Sequence, residues 1–337
     1  MTLRSRSTRL MMSALLATSA LSAQQARPLE ARNFFFDDYM TVIRWDLREL
    51  RASGMWQAML PEFASNYATW KEHWGFPPEH IDQITITSGL LFPDTKNEKL
   101  ADITTYAGNA ELGLWKDLRE TFLGQEQVGT NTLYRLGEAR PTTLRKPYAR
   151  AATMPDPKLV VVGPFGMVQS VLKGQPRGGR PSGDIMSLTD NNNGCMLELI
   201  TDLSLDRAWL AALRRVLSPV EWPKGDEPLV VALRFRAVEN DGDFRFRGEM
   251  TIRHGTAGEG LAATEAAISK AVEEVLANDK YKDAWHEPLR TLQHRRDRTD
   301  AVYSIDLGSP ETVHGNLIYF ALVYFNFVAI DEPAADR

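Results

Sequence analysis

The chain has 337 residues, of which 43% are hydrophobic and 25% charged, with 39 Lys plus Arg against 44 Asp plus Glu. These values exclude a disordered, collagen-like or multi-span membrane chain. The net charge of −5 has the wrong sign for general nucleic-acid binding, which relies on excess Lys and Arg. The single cysteine, Cys195, allows neither an intramolecular disulfide nor a cysteine metal cluster.

Residues 1–26 read as a signal peptide. Arg4, Arg6 and Arg9 precede an uncharged run from Leu10 to Ala23, and small residues follow. That run is shorter than the roughly 20 residues a spanning helix needs. Cleavage is expected between Ser22 and Ala26. Setting the three arginines aside leaves 36 basic against 44 acidic groups, a net of −8. No Asn-x-Ser/Thr sequon occurs, so the expected address is the bacterial periplasm or exterior.

A recurring unit follows. Residues 42–47 (VIRWDL), 198–203 (ELITDL) and 302–307 (VYSIDL) are β-rich runs ending in Asp-Leu, each before a helix-like stretch. In the second unit Leu205, Trp209, Ala212, Leu213 and Val216 form one apolar stripe. Residues 158–162 and FGMVQSVLKG make a fourth, weaker copy. The first half reads strand 40–47, helix 48–60, strands 81–88 and 101–107, then a helix over 110–123. A short strand at 131–136 lies within a weak region, 124–150. The second half reads strand 195–203, helix 206–217, strands 229–238 and 244–253, and a helix over 259–277. Asp241-Gly242 is the hairpin signal between its last two strands.

The fold class read from this order is α/β of the α+β type. It comprises two related β-α-β-β-α halves, with largely antiparallel sheets packed by helices on one face. The halves are 27–174 and 195–330, joined by a Gly-, Pro- and Asn-rich linker or loop at 175–194, with a polar tail at 331–337. The layout resembles a group of uncharacterised exported bacterial α/β proteins, whose mature chains also pair strand, Asp-Leu and helix units in two halves. The resemblance spans most of 38–328. It implies fold and address and brings no catalytic residues.

Asp46, Asp202 and Asp306 are the first candidate site residues. At strand ends, three carboxylates are candidates for a calcium or magnesium ion. The simpler reading is that each caps the helix that follows. Arg290, His294, Arg295, Arg296 and Arg298 form a basic cluster, a candidate anion or partner patch, or else a solvated helix C-terminus. The six histidines form no HExxH pair. His73 and His80 flank a loop, and Trp70 and Trp74 share a helical face. Residues 317–330, LIYFALVYFNFVAI, would give a helix of roughly 21 Å, shorter than the ~30 Å hydrocarbon core.

No phosphate loop, dinucleotide fingerprint or nucleophile elbow is present. The expectation is a non-enzymatic binding or interaction protein of the cell envelope. It has no cofactor and no metal, and its partner is an unidentified protein or small molecule. The alternative is a metal-dependent hydrolase with its site between the halves.

Overall fold

The computed structural model describes residues 29–36, 38–54, 56–57, 76–91, 99–138, 147–175, 183–189, 194–205, 226–240, 243–281 and 285–309. The chain divides into two units, 1–30 and 31–337, and every element below belongs to the second. The expected helix over 206–217, the pairs Trp70/Trp74 and His73, and the apolar run 317–330 lie outside the described residues.

Twelve strands form one sheet. They are β1 (Thr41–Asp46), β2 (Ile81–Leu91), β3 (Lys99–Gly108), β4 (Phe122–Val128), β5 (Asn131–Glu138), β6 (Ala149–Asp156), β7 (Leu159–Pro164), β8 (Leu197–Asp202), β9 (Pro228–Asn240), β10 (Asp243–His254), β11 (Gln293–Asp297) and β12 (Asp300–Gly308). Their order is β11-β12-β10-β9-β8-β1-β2-β3-β7-β6-β5-β4, and every pair is antiparallel. The fold is thus α+β around a large antiparallel sheet. The expected two sheets are one, because β1 and β8 pair directly, Thr41 opposite Thr201 and Trp45 opposite Leu197. The Thr41 and Thr201 hydroxyls meet at 2.8 Å across this pair. Counted outward from it, one side reads β2-β3-β7-β6-β5-β4 and the other β9-β10-β12-β11.

Among the described residues the α-helices are α1 (Leu47–Ala52), α2 (Lys116–Glu120), α3 (Phe165–Leu172), α4 (Gly183–Thr189), α5 (Glu259–Leu276) and α6 (Glu287–Arg290). They cover both faces of the sheet, not one. Leu261 and Ile268 of α5 pack with Val231 and Ile252, whereas Ile185 and Leu188 of α4 pack with Val230 and Ala232. Val230 and Val231 are consecutive on β9 and must point to opposite faces. The α1 face carries the largest core, with Ile43, Trp45, Ile84, Leu199 and Phe246 all buried.

Three differences from the sequence reading have local causes. The expected helix over 110–123 shrinks to α2, because residues 122–128 alternate in exposure and pair with β5. β6 begins where the weak region 124–150 ends, in a stretch to which the sequence pattern assigns no element. Within the Gly- and Pro-rich stretch 175–194 lies α4, anchored by fully buried Ile185.

Candidate functional site

Asp46 ends β1, and its Oδ1 accepts from the N–H groups of Arg48 (3.1 Å) and Glu49 (3.2 Å), capping α1. Asp202 ends β8, and its Oδ1 accepts from the Ser204 N–H at 2.9 Å and hydroxyl at 2.5 Å. Asp306 lies inside β12, where its Oδ2 accepts from Arg245 Nε and its Oδ1 from the Gly308 N–H, both at 2.9 Å. Burial alone would raise its carboxyl. The Arg245 guanidinium and the Gly308 N–H outweigh that and hold it below the usual aspartate range.

The register does not bring these carboxylates together. β1 and β8 run oppositely, so Asp46 hydrogen-bonds at Met196 and Asp202 at Met40. Six residues of extended chain separate those points, about 20 Å. Asp306 and Asp46 have β10, β9 and β8 between their strands, about 19 Å at the usual strand spacing. Among the described residues no group of three or more His, Cys, Asp or Glu is placed to hold a metal ion.

The basic cluster is not a helix C-terminus. Arg290 ends α6, but His294, Arg295 and Arg296 lie on β11, an exposed strand at one edge of the sheet. His294 and Arg296 alternate onto the α5 face, where both reach Glu265, His294 at 3.1 Å and Arg296 Nε at 2.9 Å. The Arg296 guanidinium holds the Glu265 carboxyl below its ordinary range. Arg295 points to the other face and lies 3.6 Å from Asp297. Arg298 adopts a left-handed φ of 55° in the two-residue turn to β12. Charges along an edge strand discourage further pairing, and β11 is such an edge.

The opposite edge differs in kind. β4 carries no Lys, Arg or Pro, and its one charge, Glu126, is bound by Arg135 at 2.6 Å and by Gln169. Phe122 is 44% exposed and Leu123 74% exposed at a bulge in the strand. Among the described residues no strand pairs with its outer side.

The densest polar constellation lies mid-sheet, on the face that α4 covers. Cross-strand register aligns Glu249 (β10), Arg234 (β9), Glu198 (β8) and Arg44 (β1) in one row. Arg234 Nε donates to Glu198 Oε1 at 3.0 Å, and its terminal nitrogens reach Glu249 at 3.5 Å and the Leu188 carbonyl of α4 at 2.5 Å. Arg44 closes the other end at 3.3 Å from Glu198 Oε2. The Glu198 side chain is 1% exposed; burial raises its carboxyl, with Arg234 and Arg44 opposing. Beside this row, Arg236 of β9 stands opposite Arg247 of β10, and Arg236 Nε donates to Cys195 Sγ at 3.1 Å. Burial pushes the Cys195 thiol up and Arg236 opposes it only in part, so the sulfur is not an activated thiolate.

The sequence reading passed over these arginines, although LRFR and FRFR in β9 and β10 carry the period-2 signal that places them on one face. No protein-family model and no curated protein matches this sequence. Among solved structures, two crystal forms of TP0453 resemble the chain at 9% identity. Form I covers 86% of this chain and 97% of that one with a TM-score of 0.43. Form III covers 86% and 98% with a TM-score of 0.46.

Proposed function

We propose that the chain is an exported, non-enzymatic interaction protein of the bacterial cell envelope, and that it works through strand addition at β4. The observation behind this reading is the contrast between the two sheet edges. β11 is defended by a row of charges, whereas β4 offers backbone donors and acceptors beside exposed Phe122 and Leu123. The N-terminal segment supports export. Two related halves meeting at the β1–β8 pair are part of this reading; the first four strands outward on one side, β2-β3-β7-β6, follow the same sequence of neighbours as β9-β10-β12-β11, and β5-β4 extend that side further.

The occupant of the edge is a second copy of this chain. An antiparallel β4–β4 pair about a two-fold axis at Gln125 sets Glu126 opposite a glycine, Gly124, so no like charges meet. Sedimentation velocity of the purified protein through the micromolar range tests this. Concentration-dependent dimer in the wild type, lost in Leu123→Lys, is the expected result. A wild type that stays monomeric, or a variant that dimerises equally, overturns it.

A further inference from the structure

Two neighbouring rows of side chains cross the α4 face, and only one of them balances. Glu249, Arg234, Glu198 and Arg44 alternate in sign, and each charge has an oppositely charged partner. Two residues along, the row reads Asp306, Arg247 and Arg236, with Cys195 at its end. Here two cations stand directly opposite each other, an arrangement that disfavours pairing unless something neutralises it.

The nearby carboxylates do so only in part, through space and without an ion pair: Arg247 acts on Asp306, which stands opposite it, and Arg236 on Glu198, while the bonded partners of both carboxylates are other groups. Glu198 is held by Arg234 and Arg44, and Asp306 by Arg245 and the Gly308 N–H. Arg236 gives its Nε to Cys195, a weak acceptor whose thiol is kept neutral by burial. Among the described residues, the terminal nitrogens of Arg236 and the whole guanidinium of Arg247 form no hydrogen bond or ion pair. Arg236 is half-buried and fixed by the Cys195 contact, while Arg247 is exposed. One cation is therefore preorganised in the sheet, and the other is free to close from the solvent side. Planar guanidinium forks match the paired oxygens of phosphate and carboxylate.

We propose that Arg236 and Arg247 together bind an oxyanion, the phosphate or carboxylate group of a small ligand or of a lipid headgroup. This site is separate from the β4 edge, and neither reading depends on the other.

The test is titration of the purified protein with inorganic phosphate and with citrate at constant ionic strength. Thermal shift against chloride and calorimetry are the readouts. The expected result is a higher Tm with either anion and binding about tenfold or more weaker in Arg247→Gln, the loss of one charge-assisted contact. In chloride the variant's Tm is expected to hold or rise, because the opposed like charge is gone. Arg236→Lys keeps the charge without the fork, and intermediate binding is expected. No effect beyond chloride, or an equal effect in wild type and Arg247→Gln, overturns the proposal. Cosedimentation with phosphatidylglycerol vesicles, phosphatidylcholine vesicles being the control, separates the sources. Arg247-dependent pelleting supports the site with a lipid headgroup as its source. A retained phosphate effect without pelleting supports it with a soluble ligand.

Discussion

Replacing Arg234 with methionine probes the centre of the molecule. Arg234 is 5% exposed and makes three contacts, at 3.0 Å to Glu198, 3.5 Å to Glu249 and 2.5 Å to the Leu188 carbonyl. Methionine fills much of the volume but leaves Glu198 with Arg44, at 3.3 Å, as its ion-pair partner and Arg236 acting only through space. Breaking one side of a buried ion pair costs about 3–5 kcal/mol, because the remaining charge stays desolvated. At an unfolding entropy of about 2.1 cal/mol/K per residue, this lowers Tm by about 4–7 °C. The loss carries a pH signature. The Glu198 carboxyl already titrates above its ordinary value through burial, and losing Arg234 raises it further. A raised carboxyl favours the native state below the ordinary glutamate value, and that contribution is lost as pH rises through the raised value. The destabilisation is therefore larger at neutral pH than near the ordinary glutamate pKa. Urea unfolding followed by circular dichroism at both pH values measures it. A loss below about 1 kcal/mol, or one equal at both pH values, refutes the reasoning.

Three further outcomes follow from individual contacts. Asp46→Ala removes the side-chain acceptor of two α1 N–H groups and is expected to cost about 1 kcal/mol in urea unfolding, while Asp46→Asn keeps most of it. Gly260→Ala puts a Cβ 1.9 Å from the Asp226 carbonyl oxygen. It is expected to lower stability by about 3 kcal/mol although alanine is the better helix former, and an unchanged or higher Tm contradicts the packing described. His254 is buried, which lowers its pKa, with the Asp226 carbonyl at 3.0 Å opposing. Its neutral form favours the native state above the ordinary histidine value. That contribution is lost as pH falls below this value through the lowered one, so His254→Gln flattens stability in this window.

Local patterning made most of the strands and the β9–β10 hairpin legible. Asp241-Gly242 signalled a hairpin between β9 and β10, and the pairing of Asn240 with Asp243 carries Arg236 opposite Arg247 and Arg234 opposite Glu249. Half of the charged row was therefore contained in the sequence pattern. Its other half was not. Glu198 and Arg44 join through the β1–β8 and β8–β9 pairings, which link positions 154 and 36 residues apart and leave no local periodicity. The three aspartates were found because Asp-Leu recurs, but recurrence says nothing about strand direction, and antiparallel pairing separates Asp46 from Asp202. β4 and β6 were missed because Gly, Gln and Glu in one, and Ala and Pro in the other, are poor strand formers. Pairing within the sheet overrode those propensities. The basic cluster was misplaced for a related reason: arginines behind a helix look like a helix end, whereas QHRRD pairs with β12.

The interaction reading rests on the β4 edge, and one measurement bears on it most directly. Sedimentation velocity of wild type and Leu123→Lys, side by side and across concentration, compares the edge with and without a charge at its most exposed apolar residue. The account predicts a dimer that dissociates on dilution in the wild type and a monomer in the variant, with the two proteins equally stable. A wild type that is monomeric throughout, or a variant that dimerises as strongly, contradicts it.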